Sequence, residues 1–203
     1  MVVLGATEED TPLVTDFARL SRKFLMGGLN LYCITSFDIH DALSSLGDDL
    51  IFGRDDFGRT RSRVLSAGTP CPYTIDPPDF KAAVLSWIQQ AVGGANTGDK
   101  ITLIFCCHDP AHTGDSQLTH QLREYPQYLS RPEMTLALSE CAPGVRVILV
   151  LLSCYAGHWE GGHPDTLVEV GAHAQHEPSY NYSRRIPLWR FHVRFDRITG
   201  YCS

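Results

Sequence analysis

The chain has 203 residues, 43% of them hydrophobic and 20% charged, which is enough to bury a sizeable core and favours one domain over residues 1–203. Its formal net charge of -6 argues against a nucleic-acid partner, because phosphate binding needs a dense basic surface. No run of 18 apolar residues is present and the start has no basic flank, so neither a membrane span nor a secretory signal is predicted.

The first half of the chain predicts two helices separated by a strand. A helix can start at Thr11-Pro12 and run to Phe24 with one apolar face, because proline is favoured in the first helical turn. Residues 29–34 are apolar enough for a buried strand, and residues 38–46 suit a short helix. Residues 53–78 are rich in Asp, Arg, Gly and Pro without a sustained period, so they predict a loop.

The second half predicts an alternation of helices and strands. Asp79 is an N-cap candidate for a helix that ends at Gly93-Gly94, and another helix is expected over residues 132–141. Strands are expected over residues 101–107, 145–152, 166–172 and 188–195. The first two are near-continuous apolar runs, as in strands that are covered on both faces. The alternation predicts an α/β fold with a mostly parallel sheet and ligands beyond the carboxyl ends of its strands.

Two chemically reactive side chains follow the two long apolar runs. His108 stands directly after the first run, and Cys154 stands two residues after the second. If the two strands are neighbours in a parallel sheet, the imidazole and the thiol meet at one edge of it. A thiol with a pKa near 8.5 is only a few per cent thiolate at neutral pH, and a neighbouring imidazole raises that fraction and later protonates a leaving group. The sequence therefore predicts Cys154 as the nucleophile and His108 as the base.

These residue types also have ordinary structural interpretations. Cysteine is often a small core residue, and a histidine after a strand is often merely hydrogen-bonded. The seven cysteines form an odd set with no disulfide framework or CxxC spacing, which indicates reduced thiols in an intracellular, cytoplasmic protein. Four histidines between residues 158 and 176 match no zinc-ligand spacing, so neither a metal nor another cofactor is predicted.

The residues around the cysteine are candidates for substrate contact. We expect the cleft to be lined by Leu152, Ser153, Tyr155, His158, Trp159, His173 and Glu177. His158 and Trp159 are the stronger candidates, because they follow the nucleophile block most closely. For Glu177 a solvated loop carboxylate is the more common interpretation.

Two blocks of the sequence resemble those of a known enzyme group. Leu103-Ile-Phe-Cys-Cys-His108-Asp109 is similar to the strand-then-histidine block of the caspase, legumain and metacaspase cysteine peptidases, and Leu151-Leu-Ser-Cys154-Tyr-Ala-Gly157 to their strand-then-cysteine block. The likeness implies a three-layer caspase-haemoglobinase fold: a mostly parallel six-stranded sheet with helices on both faces. It further implies a His108–Cys154 dyad without an obligatory third member and acyl-enzyme chemistry on a peptide-like amide. The backbone N–H groups of Asp109 and Cys154 would hold the oxyanion.

Two positions depart from the pattern of that group. Glycine usually follows the histidine, whereas this chain has Asp109, whose carboxylate would disfavour a developing oxyanion unless it points away or pairs with a cation. Two positions before the cysteine the group commonly carries a polar or acidic pocket residue, and this chain has Leu152. Leucine cannot pair with Arg, Lys or Asn, so the sequence predicts an apolar pocket floor or a substrate that is not a protein.

Three functions remain open at this point. The first is hydrolysis of a peptide or amide bond by the dyad. The second is acyl transfer or cyclisation on a small thioester or amide, with the same nucleophile and with water excluded from the acyl-enzyme. The third is a non-catalytic caspase-like module that binds partners, for which Asp109 would mark the loss of activity.

Overall fold

A computed structural model gives the fold of the chain. It describes residues 1–45, 51–52, 62–63, 73–110, 112–119, 126–153, 159 and 167–172. The helices of this part are α1 (Thr11–Met26), α2 (Ile39–Ser45), α3 (Phe80–Gly93) and α4 (Arg131–Ala137), with a 3-10 turn at Pro77–Asp79. The strands are β1 (Val2–Gly5), β2 (Cys33–Thr35), β3 (Ile51–Phe52), β4 (Ser62–Arg63), β5 (Tyr73–Thr74), β6 (Lys100–Cys107), β7 (Ser116–Gln117), β8 (Tyr128–Leu129), β9 (Arg146–Leu152) and β10 (Leu167–Ala172).

Six of these strands form one sheet in the order β10-β9-β6-β1-β2-β5, and every neighbouring pair is parallel. Two antiparallel ribbons, β3–β4 and β7–β8, lie outside it. Parallel neighbours need crossover connections, and among the described elements α1 lies between β1 and β2, α3 between β5 and β6, and α4 between β6 and β9. The fold is therefore α/β with a parallel sheet, as the alternation of helices and strands predicts.

Both faces of the sheet are covered by helices. Alternate residues of a strand point to opposite faces, so each of the central strands contributes to two apolar clusters. On one face Val3, Leu103 and Leu149 pack with residues of α3 and α4. On the other face Leu4 and Cys106 pack with residues of α1 and α2. The described residues thus form three layers, and the near-continuous apolar character of β6 and β9 follows from burial on both faces.

Most of the predicted elements are found, with shifted ends. The helix predicted from Thr11 is α1, which ends at Gly27, and the helix predicted from Asp79 is α3. The helix predicted over residues 132–141 is shorter, because it ends at Ala137, and the strand predicted over residues 29–34 begins only at Cys33. The strand predicted over residues 188–195 lies outside the described residues.

Several pairings of the short strands were not predicted. β1 pairs with both β2 and β6, so a strand of four residues occupies the middle of the sheet. The prediction of a loop over residues 53–78 was wrong at two places, because Ser62–Arg63 form β4, which pairs with β3, and Tyr73–Thr74 add β5 to the sheet. The loop after β6 contains β7, which pairs with β8. Strands of two to four residues are too short to show a period of their own.

Candidate active site

The strands that carry the two predicted reactive residues are neighbours in the sheet. β6 and β9 pair in parallel from Lys100 opposite Arg146 to Cys106 opposite Leu152. His108 stands two residues after Cys106, and Cys154 stands two residues after Leu152. The two chain segments therefore leave the same edge of the sheet in step, from strands about 4.8 Å apart. Cys154 itself lies outside the described residues.

His108 is held by a carboxylate from a third segment. Its Nε2 atom lies 2.5 Å from Oδ2 of Asp10, and its side chain is 39% exposed. Asp10 ends the loop that follows β1, which is the other neighbour of β6, so the loop reaches the same edge of the sheet. Asp10 is also the N-cap residue of α1, yet its side chain makes no capping hydrogen bond. An N-cap aspartate commonly bonds the helix, and here the carboxylate is used for the histidine instead.

The contact with Asp10 defines the charge and the tautomer of the imidazole. The hydrogen bond to Asp10 raises the pKa of His108 above its ordinary value, with burial acting in the opposite direction and the charges of Asp10 and Asp109 adding to the rise. When neutral, the ring donates its proton from Nε2 to the carboxylate, and Nδ1 carries the free lone pair. This arrangement leaves Nδ1 as the basic atom.

The main chain around His108 is fixed by the loop that follows it. The backbone N–H of Gln117 donates to the carbonyl oxygen of His108 at 2.7 Å, as part of an isolated antiparallel bridge between the two residues. This loop packs against the end of β1 at Gly5, where a Cβ atom would lie 2.5 Å from the carbonyl oxygen of Gln117. A glycine is needed at Gly5 because the two backbones approach so closely.

Asp109 points into the protein. It is 5% exposed, its Oδ2 accepts a hydrogen bond from Oγ of Ser153 at 2.6 Å, and its Oδ1 lies 3.6 Å from Sγ of Cys107. Ser116 Oγ is buried without a hydrogen bond of good geometry, although it is close enough to Asp109 to lower the pKa of that carboxyl. Burial dominates and raises the pKa of Asp109 from 3.8 to about 7.

The other predicted contact residues that the structure describes are buried. Leu152 packs in the apolar cluster on the α1 face of the sheet, and the hydroxyl of Ser153 is bonded to Asp109. Trp159 is 1% exposed, and its Nε1–H donates to the carbonyl oxygen of Gly114 at 2.7 Å. These contacts are with the protein itself, and the roles of the three residues toward a substrate stay predictions.

The remaining predicted residues are not placed. Cys154, Tyr155, His158, His173 and Glu177 lie outside the described residues. Within the described part of the chain, no group of three or more His, Cys, Asp or Glu side chains could hold a metal ion. None of the helices described there is long and apolar enough to cross a bilayer.

Asp10 was missed by the sequence reasoning. It precedes Thr11-Pro12 at a helix start, where a capping role is the ordinary interpretation, and it is 98 residues from His108. The available signal was the short apolar stretch before it. Had Val2–Gly5 been recognised as a strand beside β6, the acidic residues after it would have been expected at the edge that carries the histidine.

Comparisons of the chain with models of known protein families, with curated proteins and with solved structures found no match. The functional interpretation therefore depends on the residues and on the geometry of the sheet edge.

Proposed function

We propose that the protein is a cysteine hydrolase of the caspase-like type, in which Cys154 attacks a carbonyl carbon and His108 transfers the protons. The observation that carries this proposal is the parallel register of β6 and β9, whose last pair is Cys106 opposite Leu152. The hydrogen bond between Asp109 and Ser153 adds to it, because these residues adjoin His108 and Cys154 in the chain. The parallel sheet covered on both faces is compatible with the fold of that group.

The proton steps follow from the state of the imidazole. Nδ1 of His108 accepts the thiol proton, and the Cys154 thiolate forms a bond to the carbonyl carbon of the substrate. Asp10 stabilises the imidazolium through the hydrogen bond at Nε2, as the raised pKa of His108 indicates. The imidazolium then protonates the leaving amine as the C–N bond breaks. In the second half of the reaction His108 takes a proton from water, whose oxygen bonds to the acyl carbon. The C–S bond then breaks, the acid product leaves, and the imidazolium returns its proton to the Cys154 thiolate.

Asp109 does not oppose this chemistry. Its carboxyl is directed inward to Ser153, so it need not lie beside a developing oxyanion, and a pKa of about 7 means that part of the population is neutral at neutral pH. Among the described residues, none accepts a hydrogen bond from the backbone N–H of Asp109. That N–H, together with the N–H of Cys154, is our proposed donor pair for the oxyanion.

The substrate is a peptide or a small acyl compound with an apolar group near the scissile bond. Leu152 precedes the nucleophile by two residues and packs in the apolar cluster on the α1 face, so no charge is supplied from this position. An intracellular, cytoplasmic location agrees with the free thiols at Cys33, Cys106, Cys107 and Cys141. We expect no nucleic acid or membrane partner, in keeping with the acidic net charge.

The first experiment compares the alkylation of Cys154 by iodoacetamide with that of Cys141, a partly buried free thiol, and of glutathione. Mass spectrometry after digestion reports the rate at each cysteine. We expect Cys154 in the wild type to react at least tenfold faster than both references at pH 6.5, because a paired thiolate persists below the ordinary thiol pKa. Asp10→Asn should lower the rate about tenfold to a hundredfold, the range for loss of a hydrogen bond to a charged group.

The second experiment separates the alternatives by their products. A peptide library and a panel of small thioesters are incubated with the wild type and with Cys154→Ala, and the products are identified by mass spectrometry. Cleavage by the wild type alone supports the hydrolase, whereas transfer or ring closure without hydrolysis supports the acyl-transfer enzyme. A Cys154 no more reactive than the references, with no product in either panel, would leave the non-catalytic module. Preferred cleavage after Arg or Lys contradicts the apolar pocket.

A further inference from the structure

We propose that the hydrogen bond between Ser153 and Asp109, called the latch below, holds the nucleophile-bearing segment in place against His108, and that Asp109 is thus a positioning residue. The inference rests on the proposed function, since it concerns the placement of the same thiol and imidazole. It also reverses the meaning of Asp109, which from the sequence alone looks like a sign of lost activity.

The latch joins the residues that are covalently next to the two reactive positions. Asp109 follows His108 by one peptide bond, and Ser153 precedes Cys154 by one peptide bond. The 2.6 Å contact therefore links the residue directly after His108 to the residue directly before Cys154. Consecutive Cα atoms are about 3.8 Å apart, so fixing Asp109 and Ser153 restricts where His108 and Cys154 can lie.

Burial makes the latch stronger than a surface contact. Both side chains are 5% exposed, so water does not compete for the carboxylate or for the hydroxyl. A hydroxyl that donates to a carboxylate forms a short bond that is roughly twice as strong as one between neutral groups. Breaking it inside the protein would leave a buried polar group without a partner, which is costly.

A second hydrogen bond fixes the other end of the same segment. Trp159 donates from Nε1 to the carbonyl oxygen of Gly114, which lies in the loop after β6 and has a φ of 67°. Ser153 and Trp159 therefore bracket residues 154–158, and each is bonded to the loop that follows His108. Both contacts are made to residues that follow His108, so we expect the placement of the nucleophile to depend on that part of the chain.

The charge on Asp109 gives the latch a measurable signature. The groups that face this carboxyl are Ser153, which directly follows β9, Ser116 from β7, Cys107 from β6 and the imidazole of His108, behind which stands Asp10. Burial brings the pKa of Asp109 to about 7, so the carboxyl changes charge in the range where the thiol–imidazole pair operates. Ionisation strengthens the bond from Ser153, because the acceptor then carries a charge.

The test measures alkylation of Cys154 by iodoacetamide between pH 5 and pH 9 in the full chain. Ser153→Ala removes the donor and should slow alkylation at least tenfold at pH 6.5 to pH 8. Asp109→Asn keeps an acceptor but cannot ionise. Below pH 6 the alkylation rate of this variant should match that of the wild type. Above pH 8 it should be threefold to tenfold lower, and the wild-type inflection near pH 7 should be absent.

Matched controls come from the same kinds of residue at other places. Ser139→Ala removes an exposed hydroxyl at the end of α4, and Asp99→Asn neutralises an exposed carboxylate in the turn before β6. Both should leave the alkylation profile of Cys154 unchanged, and urea unfolding confirms that each variant is folded. Loss of the inflection in Asp109→Asn is the readout that a purely structural role would not produce.

The failures of the two proposals are distinguishable. If wild-type Cys154 is activated but Ser153→Ala reacts within twofold of it at every pH, the latch is wrong and the hydrolase proposal stands. The same holds if Asp109→Asn keeps the inflection near pH 7. If wild-type Cys154 reacts no faster than Cys141 and glutathione, the hydrolase proposal fails and the inference falls with it.

Discussion

Two consecutive residues at the end of β6 occupy opposite environments. The imidazole of His108 is partly exposed and bonded to the carboxylate of Asp10, while the carboxyl of Asp109 is buried and bonded to a hydroxyl. Such alternation is expected where a chain leaves a sheet, because successive side chains still point to opposite sides. One side chain is thereby left partly accessible to solvent, and the next one is directed into the protein.

The buried carboxyl makes stability depend on pH in an unusual direction. Between pH 4 and pH 7 folded Asp109 keeps a proton that the unfolded chain has lost, so the free energy of unfolding falls as pH rises through this window. Asp109→Asn removes the dependence. Between pH 5 and pH 8 the free energy of unfolding of this variant should rise by about 2 to 3 kcal/mol relative to that of the wild type. This corresponds to roughly two pH units at 1.36 kcal/mol each. Urea unfolding at several pH values measures this gain.

The control for this measurement is Asp99→Asn, since Asp99 is exposed and its carboxylate stays in contact with water in both states. Its unfolding curve should follow that of the wild type across the same pH range. Parallel curves for Asp109→Asn and the wild type would mean that the carboxyl is ionised in the folded protein, and the interpretation of Asp109 as a buried, partly neutral acid would be wrong.

At the scale of elements, the long strands were predictable and the short ones were not. β6 and β9 are seven to eight residues long and apolar almost throughout because both of their faces are buried, and this pattern is visible in a single sequence. α3 was predictable because its buried residues recur about one turn apart and Asp79 precedes them. β1 has only four residues, so its place in the middle of the sheet is decided by its partners.

The residues of the candidate site can likewise be separated into those that the sequence predicts and those that it does not. His108 was predictable because it follows a long apolar run, whereas Asp10 follows the short strand and looks like a helix cap. The inward direction of Asp109 was not predictable either. It depends on the hydroxyl of Ser153, which directly follows β9, lies 44 positions away and becomes a neighbour only through pairing of β6 with β9. Contacts across the sheet require the register, which a single sequence does not contain.

The junction of β1 with the loop after β6 gives a prediction at this scale. A Cβ atom at Gly5 would lie 2.5 Å from the carbonyl oxygen of Gln117 and 3.0 Å from Cβ of Cys107, so Gly5→Ala forces one backbone to move. We expect it to lower the free energy of unfolding by about 1–3 kcal/mol, the usual cost of overpacking. It should also slow alkylation of Cys154, because Gln117 holds the carbonyl of His108. Urea unfolding and alkylation rates measure the two effects.

Gly93→Ala is the matched control. Gly93 ends α3, and a Cβ atom there would meet nothing within 4 Å. Alanine should raise the free energy of unfolding by about 0.5 kcal/mol, because the unfolded chain loses backbone freedom. A Gly5→Ala variant as stable as Gly93→Ala would show that the approach of the two backbones is not as close as described.

For the molecule as a whole, the sheet separates two apolar clusters that do not share helices. Ile88 of α3 lies in one cluster and Ile39 of α2 in the other, and both are buried. The sheet lies between them, with helices packed on each face, so the two side chains belong to different clusters and share no helix. The polar groups of the candidate site collect where the strands end, outside both clusters.

This separation predicts additive effects on stability. Ile39→Val and Ile88→Val each remove one buried methyl group, and each should lower the free energy of unfolding by about 0.5–1.5 kcal/mol. Since the sheet stands between the two sites, the double variant should lose the sum of the two values to within about 0.5 kcal/mol. Urea unfolding of the wild type, the two single variants and the double variant measures how far the two effects add. A larger interaction term would mean that the layers share packing through the sheet, and a second transition would mean that they unfold separately.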